Sequence, residues 1–321
     1  ALYQIILIGG MKVEFFSDLL SALPGAAAQG LIWGLMAIGV FITFRVLDLA
    51  DLTVDGTMAT GGAVCIVMMT NGANVWVALL CAFIAGMLAG LVTGILHTFM
   101  GIPAILSGIL TQLALFSINL RIMDKKANMA INPDNYDLLV SLRNVKQLTI
   151  NNPIFVTAAF TVILIALLYW FFGTSLGCSI RATGANPNMS RAQGINVSFN
   201  KVLGLMISNG IVALSSALLC QYQGFADVNA GRGAIVIGLA AVIIGEVVFS
   251  RVFRNFALRL LGVTFGAVIY YVVIQIVLTA GLDTNDLKLI TAAVVGIFLA
   301  IPYWKGKYFN KPAKKGADKN A

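Results

Sequence analysis

Apolar residues run through this chain in long stretches separated by short polar breaks. The stretches fall at roughly Gly25–Phe44, Leu52–Thr70, Val75–Phe99, Pro103–Leu120, Pro153–Phe172, Val202–Cys220, Ala234–Ser250, Leu258–Ala280 and Leu287–Tyr303. Each is close to the ~20 residues a helix needs to cross a bilayer. Membrane strands would instead alternate polar and apolar positions over about ten residues. The pattern predicts an all-α, polytopic membrane protein with about nine transmembrane helices, eight to ten at the limits. The second stretch follows Asp51 and contains Asp55, so it can be broken or re-entrant. Ahead of the first, Lys12–Leu23 gathers Phe15, Phe16, Leu19 and Leu20 on one side, as an interfacial helix does. Three regions are expected: an N-terminal segment 1–23, a membrane domain 24–304 with a long polar loop at 173–201, and a basic tail 305–321.

Composition agrees with the pattern. Hydrophobic residues make up 59% of the chain and charged residues 11%. A soluble domain carries about 25% charged residues to cover its surface, so lipid must solvate much of this one. Cys65, Cys81, Cys178 and Cys220 form no C-x-x-C pair, and reduced, buried thiols are expected rather than disulfides or zinc. Ala1–Gly10 is apolar but lacks the basic start and cleavage motif of a signal peptide.

The net charge of +8 raises nucleic acid or an anionic membrane face as a partner. Distribution decides between them. With nine spans and a cytoplasmic C-terminus, one face receives Arg45, Arg181, Arg191, Lys201, Arg251, Arg254, Arg259 and the six lysines after Trp304. Those are 13 of the 21 bases, against Asp48, Asp51, Asp55, Glu246 and Asp318, so that face holds the whole excess. Basic loops stay inside. Nucleic acid drops out as a partner, and Asp124–Asn152 becomes the longest exterior loop, with Gln221–Gly233 and Gly281–Asp286 as shorter ones.

An internal echo appears as well. Asp51-Leu-Thr-Val-Asp-Gly-Thr-Met-Ala-Thr-Gly-Gly-Ala63 and Asp227-Val-Asn-Ala-Gly-Arg-Gly-Ala-Ile-Val-Ile-Gly238 each open an apolar span after an acidic turn. Four spans lie on either side of the fifth, giving two inverted four-helix halves. Such repeats place a transport path at their interface.

The most conspicuous polar island is Cys178–Asn196. It holds two arginines and no acid. Asn186 can cap a short helix, Pro187 suits its first position and Gly194 can close it. Gly86, Gly90 and Gly94, with Gly30/Gly34 and Gly262/Gly266, repeat a four-residue spacing that lets helices approach closely, within the chain or between subunits. Asp55 and Glu246 are the acids nearest membrane depth, where such groups face protein or wet cavities. Arg45 or Arg251 can pair with them. Thr57, Gln112, Asn119, Asn209 and Gln223, beside Gln221 and Gln275, can line a path for a small polar solute or bond helix to helix. His97 has no neighbouring ligands, so no metal is expected. No G-x-x-x-x-G-K-S/T loop, dinucleotide fingerprint or Ser/His/Asp set appears, so neither catalysis nor a cofactor is expected. Were transport driven by ATP, the ATPase would have to be a separate chain.

Three segments carry a family resemblance: Arg45–Gly56, Arg181–Pro187 with Arg191–Ile195, and Gly238–Glu246. They resemble permease subunits of bacterial ABC importers of the branched-chain amino acid and ribose superfamily. The closer resemblance, over roughly Gln29–Tyr303, is to the tryptophan/tyrosine-type branch. It implies a homodimer in the bacterial inner membrane, two cytoplasmic ATPases, an external substrate-binding lipoprotein and alternating access. By the same resemblance Arg181, Gly184, Asn186, Pro187, Met189, Arg191, Gly194 and Ile195 form the ATPase-coupling loop. Leu52–Gly62 and Gly231–Gly245 correspond to helices near the path, and the cargo is a small amino acid, aromatic as first choice. The rival from another class is an ion- or proton-coupled carrier using Asp55 and Glu246. A non-transporting scaffold fits poorly with inverted halves.

Overall fold

The computed structural model describes residues 2–131, 136, 138–145, 152–249, 253, 255–280 and 286–304. Its helices are α1 (Leu2–Phe41), α2 (Thr53–Thr70), α3 (Val75–Thr98), α4 (Ala104–Ile122), α5 (Pro153–Gly173), α6 (Ser175–Ala185), α7 (Pro187–Ala192), α8 (Val197–Gln223), α9 (Ala234–Phe249), α10 (Phe256–Thr279) and α11 (Leu287–Trp304). Two three-residue strands, β1 (Asn128–Ala130) and β2 (Phe225–Asp227), pair antiparallel with Met129 opposite Ala226.

Among the described residues six helical segments are long and apolar enough to cross a membrane: Ser17–Val46, α3, α4, α5, α8 and α10. The expected second and seventh spans are the 18-residue α2 and the 16-residue α9. At 1.5 Å per residue α9 is about 24 Å long, short of the ~30 Å hydrocarbon core. The backbone does not break where an interfacial helix would end at Leu23. α1 runs through Pro24 and passes into a π-turn at Ile42–Val46. Leu20 is exposed, while the side chains of Phe15 and Phe16, and the whole tail 305–321, lie outside the described residues.

α8 is the centre of the bundle. On its α1 side, Ser208 Oγ donates to the Gly39 carbonyl at 2.7 Å, Ser215 Oγ to Ile32 at 2.7 Å and Tyr222 OH to Gly25 at 3.3 Å. The donors advance by seven as the acceptors fall by seven, which sets two antiparallel helices in register at two-turn intervals. Each such bond contributes roughly 0.6 kcal/mol inside a membrane bundle. On its α3 side, Gly86 faces the Asn209 carbonyl, Gly90 that of Leu205, and Gly94 packs on Val202. Added Cβ atoms there would overlap α8. Gly30 and Gly34 seat α1 on Val268 and Thr264 of α10, and Gly266 seats α10 on α9. The small-residue stripes thus serve packing within the chain.

α5 shows the opposite character. Thr157, Thr161, Ile165, Leu168 and Phe172 make one buried stripe at helical spacing, while Leu167 and Trp170 are exposed. In lipid an apolar outer face is stable without a partner. All four cysteines are free thiols: Cys65 and Cys220 are buried, Cys81 is half-buried, and Cys178 is exposed, contrary to the expectation for a buried thiol.

Candidate functional site

The polar loop folds as three capped helices in series. Thr174 breaks α5 from α6 with an extended backbone, and its Oγ1 accepts from Gly177 N at 3.3 Å. Asn186 does the same between α6 and α7, where Oδ1 accepts from Met189 N at 3.0 Å and Pro187 takes the first helical position. Gly194 ends α7 at φ +77°. Its N–H donates to the Arg191 carbonyl at 3.0 Å, and Ile195 N–H to that of Ser190 at 3.0 Å. This is the Schellman pattern, which calls for a left-handed residue and hence glycine. Asn196 then caps α8 by accepting from Phe199 N at 3.0 Å.

The eight residues expected to form a coupling loop lie on one short run, in two kinds of place. Asn186 and Gly194 shape the chain. Gly184 lets α6 close onto the Val46 carbonyl at the end of the π-turn, where a Cβ would overlap. Ile180 is fully buried beside Val46, Leu47 and Phe172, and Asn200 Nδ2 donates to Thr183 Oγ1 at 3.0 Å. α6 is thus clamped to α1 and α8. By contrast, Arg181, Pro187, Met189 and Arg191 are exposed, Met189 at 63% of its surface. The Arg181 guanidinium lies 5.7 Å from the centre of the Phe256 ring on α10. An apolar tip and a cation on a short capped helix, held on a rigid base, make a contact surface.

Behind that helix pair, a cleft of about 630 Å³ opens between α1, α6, α9 and α10, lined by Arg45, Asp48, Arg181, Glu246, Phe256 and Arg259 among others. Glu246 of α9 forms an ion pair with Arg45 of the π-turn. Arg251, the other expected base, lies outside the described residues.

The path candidates scatter. Asp51 accepts from Thr53 N at 2.9 Å and from Asn209 Nδ2 at 2.7 Å, and Thr57 Oγ1 donates to Asn209 Oδ1 at 2.7 Å. Thr53, Thr93 and Thr111 continue as hydroxyl contacts of 2.7 and 2.9 Å across α2, α3 and α4. All of these are buried. Thr57 and Asn209 thus satisfy one another between helices. Gln112 is half-buried on α4, where Gly56 of α2 packs on its backbone. Asn119 is fully buried, and its side-chain amide has no hydrogen-bond partner among the described residues. Gln223 is exposed at the end of α8.

Asp55 differs from expectation in its partner. Among the described residues no arginine meets it. Its Oδ2 accepts from Gly233 N and its Oδ1 from Ile235 N, both at 3.0 Å. These N–H groups belong to the start of α9, so a carboxylate on α2 caps a helix 178 residues away. It also complements the positive end of that helix's dipole. The two echo segments consequently touch, with Gly231 packed on the Asp55 carbonyl. α9 is tethered at one end by Asp55 and near the other by Arg45.

His97 is structural: with Nδ1 2.8 Å from the Ile102 carbonyl and Lys201 Nζ 3.2 Å from Nε2, it ties α3 to α8. Sequence reasoning missed the Ser208/Ser215/Tyr222 ladder, although hydroxyls seven apart in an apolar span were a visible signal. It also passed over the buried threonine chain, which has no sequence period.

This arrangement is that of a multi-pass helical membrane protein. Residues 23–302 match the family described as "branched-chain amino acid transport system / permease component", and the chain belongs to that family, as a permease component of an ABC-type transport system. It is 41% identical over 281 residues to a tyrosine transport system permease protein of Clostridioides difficile (strain R20291), covering 88% of this chain and 91% of that protein. It is 28% identical over 253 residues to a fructose import permease protein of Bifidobacterium longum (strain NCC 2705), covering 76% and 67%. Among solved structures, PsaBC from Streptococcus pneumoniae in complex with Fab shares the fold at a TM-score of 0.51 and 15% identity, over 92% of this chain and 99% of that one.

Proposed function

We propose that this chain is the membrane subunit of an ATP-driven importer that carries an aromatic amino acid by alternating access in a homodimer. Two ATPase chains dock on α6–α7 at the cytoplasmic face, a binding lipoprotein docks at the outer face, and the C-terminus is inside the bacterial inner membrane. The observation that carries the reading is the exposed, doubly capped α7 on an α6 clamped to α1 through Gly184. A docked ATPase that moves α7 moves α6. Through α6 it moves the π-turn bearing Arg45, and so the Glu246 end of α9. Coupling requires such a two-state element, here the permease dimer, biased by nucleotide on one side and loaded binding protein on the other.

The tyrosine transport relative supports the cargo, whereas the fructose relative shows that one family fold serves different solutes. The roles of Asp55 and Glu246 in holding the two ends of α9 favour this reading over a proton-coupled carrier. One carboxylate caps a helix and the other is paired with arginine. Charge reversal at Arg191 (Arg191→Glu) tests the proposal in proteoliposomes holding permease, ATPase and binding protein. Tyrosine uptake should fall at least tenfold while the complex still purifies as a dimer. Unchanged uptake and unchanged substrate-stimulated ATPase activity would refute it.

A further inference from the structure

The turn that leads into α9 carries a charge without an ion-pair partner among the described residues. Arg232 stands between Gly231, which packs on the Asp55 carbonyl, and Gly233, whose N–H donates to Asp55 Oδ2. Asp55 lies two residues from Thr57, which bonds Asn209, the thirteenth of the 27 residues of α8. α8 is about 40 Å long and the hydrocarbon core about 30 Å thick, so this turn sits near mid-depth. Between β2 and α9 the chain has folded back into the bundle.

At that depth Arg232 and Gly233 are exposed and Asp55 is half-exposed. Among the described residues no carboxylate pairs with Arg232. An unpaired guanidinium cannot face lipid there at low cost, so this face of the subunit borders water or a polar solute. Gln223 and Asn229 are exposed and Asp227 half-exposed on the same folded-back segment, a polar track from the β2 end down to Arg232.

The geometry points to an amino-acid zwitterion site at the foot of an outward-opening vestibule, where the Arg232 guanidinium takes the carboxylate of the cargo and Asp55 its ammonium. Each Asp55 oxygen accepts one backbone N–H and keeps a second lone pair for the ammonium. Guanidinium and carboxylate match in charge and in planar donor geometry. The site takes a solute with both charges and offers nothing to a neutral sugar. It rests on the permease reading for the vestibule's outward orientation.

The test uses the assembled transporter in right-side-out vesicles. Asn229→Cys, in a Cys81→Ser/Cys178→Ser background, reports on the turn without touching the two binding groups. The membrane-impermeant reagent 2-(trimethylammonium)ethyl methanethiosulfonate should modify it from the outer side. L-Tyrosine should slow the reaction at least threefold, and tyramine, which lacks the carboxylate, should not. Arg232→Gln should abolish the protection and Arg232→Lys restore part of it, the latter showing that the turn remains folded. An unreactive Asn229→Cys, or protection that survives Arg232→Gln, would overturn the site. Protection by L-leucine but not L-tyrosine would overturn the aromatic cargo and leave the zwitterion site standing. Protection by fructose alone would overturn both.

Discussion

Two polar interruptions of this membrane chain fold by opposite rules. The α6–α7 pair is made from nearby residues: Thr174, Asn186 and Asn196 each cap a helix that starts at the next position, and α7 is closed by Gly194 N–H onto the carbonyl three residues back and Ile195 N–H onto the one five back. The turn before α9 is made from afar. The side-chain acceptor for its Gly233 and Ile235 N–H groups is Asp55, 178 and 180 residues earlier on α2, while Asp227 Oδ1 takes the Asn229 N–H within the turn. The first element takes its caps from its own stretch of chain and leaves its outer face exposed. The Asp55 cap of the second exists only while α2 and α9 are together.

That contrast can be broken experimentally, and the largest effect is expected at Gly231. Any side chain there collides with the Asp55 backbone. Gly231→Leu should separate the echo segments and reduce the monodisperse protein extracted from membranes more than tenfold, measured by size-exclusion chromatography. Next comes Asp55→Ala, which strips the start of α9 of its acceptor. Two charge-assisted bonds are lost, so a destabilisation of about 2–4 kcal/mol is expected, read as a fall in melting temperature in detergent. Asp55→Asn keeps one acceptor oxygen and should lose about half as much. The smallest effect belongs to the local element. Asn186→Ala removes one cap at a cost of about 1 kcal/mol. Hydrogen exchange at the Met189 amide should quicken, with melting of the whole protein almost unmoved. Equal melting shifts for Asp55→Ala and Asn186→Ala would erase the distinction between distant and local capping.

The same distinction explains what could be read from the residues alone. The capping of α7 was legible because its donors, acceptors and positive φ fall within nine residues. The glycine stripes were legible as close-approach surfaces, but Gly86, Gly90 and Gly94 had to be seen against α8 before packing within the chain could be told from a subunit contact. For Asp55, depth in the membrane suggested a cation partner. The bundle supplied backbone N–H groups instead, because a short helix beginning at mid-bundle leaves its first N–H donors without an intrahelical acceptor. Arg232 looked like an ordinary exterior base, since nothing local shows that Phe225–Gly233 turns back into the bundle.

Hydropathy determined from sequence alone that the chain lives in lipid, because a residue's transfer free energy does not depend on its neighbours in space. Local hydrogen bonding determined that Asn186–Ile195 is a stopped and started helix. Tertiary structure decided which polar groups are satisfied and which remain available. It joined Asp51 to Asn209, Asp55 to the start of α9 and Glu246 to Arg45, and left Arg232 without an ion-pair partner among the described residues. Those pairings span roughly 150 to 200 residues of chain. They depend on how the helices cross, which no short stretch of sequence encodes.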